Sequence, residues 1–271
     1  MTDCSDTASR CRTVLICHAD DDLNREGLAR WLATTTELVG VVILEEPAKR
    51  MRRRIQREIQ RVGLVRFLDV LAFRVYYKLF LAKRDHAWER TTLDQLCVQF
   101  PPLGPSTRIL HAPSPNSKEV EQFLQSLTPD IVIARCKSLL KESVFTIPKS
   151  GTFVMHPGIC PQYRNAHGCF WALAQNDRGN VGMTLLKIDK GIDTGPVYGY
   201  YRSEFDETQD SHHVIQHKVV FDNLDALTAK LNEIQAGRAA PLSTQGLPSG
   251  EWGQPWLTAY WKYLRDARKR A

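Results

Sequence analysis

The sequence predicts an α/β protein: a mostly parallel sheet with helices on both faces, interrupted by a basic helical insertion. Three observations carry that prediction. Continuous apolar runs such as VLIC and LVGVVIL alternate with amphipathic stretches, and strands without strict period-2 alternation are covered on both sides. The runs are separated by helical lengths rather than tight turns, which parallel pairing requires. A cluster of arginines followed by a leucine stripe, between about residues 48 and 95, breaks the rhythm once.

Taken in order, Arg12 to His18 reads as the first strand, Asn24 to Ala33 as its helix and Leu38 to Glu45 as the second strand. The turn between them, HADDDLNREG, places acids where a dinucleotide pyrophosphate needs bare backbone amides, which argues against a nicotinamide cofactor. From Lys49 to Arg90 the chain turns basic and helical, with Leu64, Leu68, Leu71, Val75 and Leu79 spaced by three and four on one face. The proline-punctuated loop PPLGPSTRILHAPSPNS holds a short strand, Arg108 to His111. The rhythm then resumes: helix Lys118 to Leu127, strand Asp130 to Arg135, short helix Ser138 to Phe145, strand Thr152 to His156 and helix Ala166 to Asn176. Met183 to Asp189 and Val197 to Phe205 read as strands, and 211–236 as one long helix closed by Gly237. The predicted organisation is a catalytic domain over 1–240, with the insertion inside it, and a Trp- and Pro-rich tail over 241–271 that ends in a helix.

Composition narrows the function. A chain of 271 residues with 43% hydrophobic and 24% charged residues is expected to be globular and soluble. Its seven cysteines form no CxxC pair, which argues against a zinc ribbon or a disulfide scaffold and for a reducing compartment. The N-terminus carries acids where a signal peptide carries bases, and the run Val14 to Cys17 is too short for export, so a cytoplasmic protein is expected. The net charge of +6 is uneven: Lys49, Arg50, Arg52, Arg53, Arg54, Arg57 and Arg61 fall together. Such a cluster suits a structural appendage with a solvated face, a phosphate-bearing acceptor, or contact of 49–84 with an anionic membrane.

Ligands of a parallel α/β sheet sit at the carboxyl ends of its strands. His156 ends one predicted strand and Asp193 follows another, so the fold can bring an imidazole and a carboxylate to one rim, a pair suited to moving protons. Residue by residue the readings are blander: a capping histidine, a turn acid, and Asn165 as a helix cap. His212, His213 and His217 read as a solvated helix face, and no metal is expected. Cys160 and Cys169 read as small buried residues.

Three linked motifs sharpen this: TPDIVIARCKSLL, VMHPGICPQYRNAHGCFWAL and MTLLKIDKGIDTGPVY. Their order and spacing over Asp130 to Val197 resemble the folate-dependent formyltransferases, which include phosphoribosylglycinamide, methionyl-tRNA and sugar N-formyltransferases. The resemblance implies a Rossmann-like fold and 10-formyltetrahydrofolate as co-substrate. It implies that His156 and Asp193 handle protons while an amine attacks the formyl carbon. It places the pterin against Cys136, Leu139, Leu140 and Ile192, and the acceptor beside Tyr163, Arg164 and His167. The family's asparagine two positions before the histidine falls on Val154 here. Asn165 is therefore expected to supply the missing catalytic hydrogen bond, or His167 from the same loop. A small-molecule amine, including a nucleotide-linked amino sugar, is the expected acceptor, and tRNA a weaker one. Hydrolysis of the same donor and a non-catalytic folate- or partner-binding scaffold stand as alternatives, and the number of subunits, a dimer among the options, stays open.

Overall fold

The structure, a computed structural model, describes residues 10–45, 55–56 and 58–270. Of the basic cluster, Lys49 to Arg54 and Arg57 lie outside the described residues. Nine strands follow in chain order among the described residues: β1 (Arg12–His18), β2 (Glu37–Leu44), β3 (Arg108–Ala112), β4 (Ile131–Arg135), β5 (Gly151–His156), β6 (Arg164–Asn165), β7 (Met183–Lys187), β8 (Val197–Tyr201) and β9 (Glu251–Trp252). Seven of them form one sheet in the order β3-β2-β1-β4-β5-β7-β8. The first five positions are parallel, while β7 and β8 join antiparallel at the β5 edge.

Alternate residues of the central strands face two separate cores. Leu15, Cys17, Val41, Ile43, Ile131 and Ile133 belong to one, and Val14, Ile16, Val42, Leu44 and Val132 to the other. Both sets are apolar because helices cover both faces, which is why these strands read as unbroken apolar runs. The second core is closed by α4 (Lys118–Leu127) through Val120, Phe123 and Leu124. The first is closed by α1 (Ala29–Thr35), which follows a π turn at Leu23–Leu28, and by α6 (Gly168–Ala174), α7 (His212–Phe221) and α8 (Leu224–Gln235). Its best-buried aromatic side chains include Trp31, Phe153 and Phe170, each contributing about 2–3 kcal/mol of burial.

From Leu64 onward the insertion is one helical run: α2 (Leu64–Tyr76), a π turn at Tyr77–Leu81 and α3 (Ala82–Gln99). A short α5 (Glu142–Phe145) covers less than the predicted 138–145. The chain ends on α9 (Leu257–Arg268), which packs on α2 with Phe73 and Tyr260 ring centroids 5.0 Å apart.

The single helix predicted over 211–236 is two. Helix α7 stops at Phe221 because the Asn223 side-chain amide donates to the Arg202 carbonyl, the Ser203 hydroxyl and the Val219 carbonyl. These bonds hold the backbone at Asn223 outside helical geometry, a competition that favours Asn at helix ends.

Candidate active site

Strand β5 delivers His156 to the carboxyl rim of the sheet, opposite Thr184 of β7. The ring is 4% exposed. Its Nε2–H donates to the Tyr163 carbonyl at 2.9 Å, and its Nδ1 lies 3.4 Å from Asp193 Oδ2. The residue pair Pro157-Gly158 makes this approach sterically feasible: a Cβ on Gly158 would sit 2.5 Å from the Tyr163 carbonyl oxygen and 2.8 Å from His156 Nε2. Glycine is the side chain that this packing admits.

Asp193 occupies a left-handed backbone position, φ 51°, in the loop between β7 and β8. Its Oδ2 accepts the backbone N–H of Asn165 at 2.9 Å, so the carboxylate is aimed by a main-chain donor as well as by the imidazole. The preceding carbonyl, of Ile192, accepts from Arg164 Nη1 at 2.9 Å. Two consecutive residues of β6 thus clamp two consecutive residues of the catalytic-looking loop. Asp189 braces the loop from within by accepting from Gly191 N–H and the Thr194 hydroxyl.

A cleft opens beside this pair, walled by Ala134, Cys136, Leu139, Leu140, Val154 and Asp193. Cys136, Leu139 and Leu140 thus share one wall; Ile192 is not among the lining residues, and its carbonyl faces Arg164 instead. Val154 presents an isopropyl group to the same cleft. Tyr163 is 5% exposed, stacks on Trp252 at 5.7 Å and donates its hydroxyl to Asp177 Oδ2 at 2.8 Å, so it meets His156 through its backbone. The Asn165 side-chain amide reaches Glu251 Oε1 at 3.4 Å. His167, also left-handed at φ 56°, is enclosed beside His212, and burial with the nearby His213 draws its pKa down to about 4.

Several residues of this rim escaped the sequence reading. Arg135 ends β4, donates from Nε to Asn24 Oδ1 at 2.9 Å and from Nη1 to the Met155 carbonyl, one residue before His156. Burial lowers the Arg135 pKa, with Asp21 acting in the opposite direction. Asp21, itself bonded to Asn24 Nδ2 at 2.6 Å, is held below the usual carboxylate range: burial opposes this, and Arg135 and Asn24 overcome it. The available signal was a charged residue closing the apolar run DIVIAR. The predicted solvated face of α7 is packed instead: His212 is 3% exposed, and His213 Nε2 and His217 Nε2 approach Glu89 Oε1 of α3 at 3.0 and 3.8 Å. Glu89, His213 and His217 place one ligand atom each within 4.8 Å of one another. The tail also returns to the site. Arg164 N–H donates to the Gly250 carbonyl, Trp171 Nε1 to the Gly253 carbonyl, and β9 pairs with β6.

Residues 94–231 match the family described as formyl transferase. Over 127 residues the chain is 30% identical to the methionyl-tRNA formyltransferase of Caldanaerobacter subterraneus subsp. tengcongensis, a match spanning 46% of this chain and 40% of that relative. Over 176 residues it is 30% identical to the Thermus thermophilus methionyl-tRNA formyltransferase, spanning 56% and 57%. The chain therefore covers less than two thirds of these relatives' length. Among solved structures, a sugar N-formyltransferase from Shewanella sp FDAARGOS_354 superposes with a TM-score of 0.53 at 12% identity, covering 94% of this chain and 87% of that one. Glycinamide ribonucleotide transformylase 1 from Symbiobacterium toebii gives 0.52 at 14%, covering 86% and 95%. At these identities the structural likeness speaks for the Rossmann-like fold.

Proposed function

The chain belongs to the formyl transferase family, and on that premise we propose that it transfers a formyl group from 10-formyltetrahydrofolate to the amine of a small molecule, including a nucleotide-linked amino sugar. The observation that carries this reading is the His156–Asp193 pair, 3.4 Å apart, whose carboxylate member lines a cleft together with Cys136, Leu139 and Leu140.

The apolar wall offers a slot for a flat heteroaromatic ring, and the loop of Asp189 to Asp193 offers backbone groups for its polar edge. The donor supplies an activated formyl carbon. As the acceptor nitrogen bonds to that carbon, it must lose a proton; the donor nitrogen must gain one as its bond to carbon breaks. The His156–Asp193 pair takes up the first proton and returns the second, with the carboxylate, fixed by the Asn165 N–H, offsetting charge on the ring. The arrangement lacks a side-chain amide at position 154, so oxyanion stabilisation falls to the remaining donors at the rim. Nothing in the site favours water over an amine as the attacking group.

The test is release of tetrahydrofolate by the purified chain with 10-formyltetrahydrofolate and a panel of nucleotide-linked amino sugars and small amines. Release that requires an amine and is lost in His156→Ala supports the reading. Release without an acceptor assigns hydrolysis; folate binding without release under any condition assigns a non-catalytic scaffold.

A further inference from the structure

Helix α2 is apolar on two opposite faces. Val70 and Phe73, at 1% and 5% exposure, face the domain, where Phe73 meets Tyr260 and Asp69 accepts from Thr258. On the other side, Leu64, Leu68, Leu71, Val75 and Leu79 follow the helical spacing and are 45–69% exposed. They continue into Phe80, 66% exposed, and form a groove with Ala72 and Tyr76. Only one of the two apolar faces is covered by the domain, and a contiguous exposed patch of this kind marks an interaction surface.

The charge of the segment selects the occupant. Residues 49–84 hold twelve Lys and Arg against two acids, Glu58 and Asp69, a net +10. With +6 for the whole chain, the rest carries −4. Arg74, Lys78, Lys83 and Arg84 are exposed along the same run. A second copy of this chain would set two strongly positive faces against each other. A nucleic acid would neutralise the arginines and leave the leucines in water. An anionic lipid surface satisfies both groups at once, with Leu, Val and Phe entering the acyl boundary and Arg and Lys meeting the headgroups. Tyr76, Phe80 and the 52%-exposed Trp261 cluster at one edge, with Tyr76 and Trp261 centroids 6.3 Å apart, as aromatic side chains do at a membrane–water boundary. Among the described residues no helix is long and apolar enough to cross a membrane, so the helix lies on the surface.

We propose that the insertion docks the protein on an anionic membrane, with the Leu68–Leu71–Val75 face of α2 in the headgroup region. The inference stands apart from the reaction assigned above. Arg66, over the Trp256 ring at 4.1 Å, and Trp256, 4.6 Å from Trp171, connect the docking helix to the tail that frames Arg164 and Asn165.

The experiment is flotation of the full chain with vesicles of phosphatidylcholine alone or phosphatidylcholine mixed with phosphatidylglycerol, beside sedimentation of the lipid-free protein. Binding about tenfold stronger to the anionic vesicles, weakened by salt, is expected. The triple variant Leu68→Gln, Leu71→Gln, Val75→Gln is expected to lose about tenfold or more of that binding with its thermal melt unchanged. Arg74→Gln with Lys78→Gln is expected to lessen the preference for anionic lipid. Failure of the wild type to float with anionic vesicles, or equal binding to both vesicle types, overturns the proposal. So does a dimer in lipid-free solution that the triple variant converts to monomer, since the stripe is then covered by a second copy.

Discussion

The backbone N–H of Asn165 donates to Asp193 Oδ2 at 2.9 Å, and that oxygen is the one facing His156. The proposed proton-handling pair is therefore a triplet in which one member acts through its main chain. Replacing Asn165 by Gly keeps the donor and suits φ 77°. Turnover of Asn165→Gly is expected within about threefold of wild type, whereas Asn165→Val, forced into a left-handed backbone, loses about 1–3 kcal/mol of stability. Steady-state kinetics and thermal melting check both; collapse of turnover in the Gly variant would show that the side-chain amide takes part.

Removing either proton carrier is expected to be costly. His156→Ala and Asp193→Asn should each lower kcat by about 10² to 10⁴, with little change in folate binding for His156→Ala, whose side chain is not among those lining the cleft. Folate titration of the same variants separates lost chemistry from lost binding.

Val154 faces the cleft two residues before His156. Val154→Asn places an amide donor on the cleft wall, and under the proposed reaction kcat is expected to rise by about ten- to a hundredfold with the donor KM unchanged. A fall in kcat would show that the wall needs the apolar group.

Arg135 holds the Met155 carbonyl and Asn24 and lies beside Asp21. Arg135→Leu leaves that carboxylate without its cation and the carbonyl without its donor. The expected loss is about 3 kcal/mol, read as a lowered denaturant midpoint, and Arg135→Lys is expected to recover part of it.

Stability is expected to fall with acid before ordinary carboxylates titrate. His167 and His217 are drawn down to about 4 and about 3, chiefly by burial, and His212 is lowered well below its usual value. The unfolded chain takes up these protons below about pH 6.5 and the folded chain does not. The folded state therefore loses about 1.4 kcal/mol per pH unit for each such histidine between pH 6.5 and about 4. Melting temperature against pH measures the slope, and His167→Gln should make it shallower.

What could be read from the residues follows from how local the cause is. The bounds Arg12–His18 and Lys118–Leu127 were predicted as observed because strand and helix periodicity reside in neighbouring side chains. The antiparallel entry of β7 was not readable, since direction depends on which edge of β5 it meets. The break at Asn223 was hidden for a similar reason: its causes, the Arg202 carbonyl and the Ser203 hydroxyl, belong to another segment. The meeting of His156 and Asp193 at one rim was expected from strand ends and motif spacing, and the structure brings them to 3.4 Å. Arg135 and Glu251 did not, because their partners Asn24 and Asn165 are far away in the chain.

The pairing of β9 with β6 ties the tail to the rim. The histidine and the carboxylate stand on the sheet and its own loop, whereas the shape of the neighbouring segment at Arg164 and Asn165 is completed by residues near position 251. Because β6 also gives the Asn165 N–H to Asp193, a substitution in the last strand acts on the segment at Arg164 and Asn165 and, through it, on the carboxylate. A residue near position 251 thereby reaches the His156–Asp193 pair from the far end of the chain.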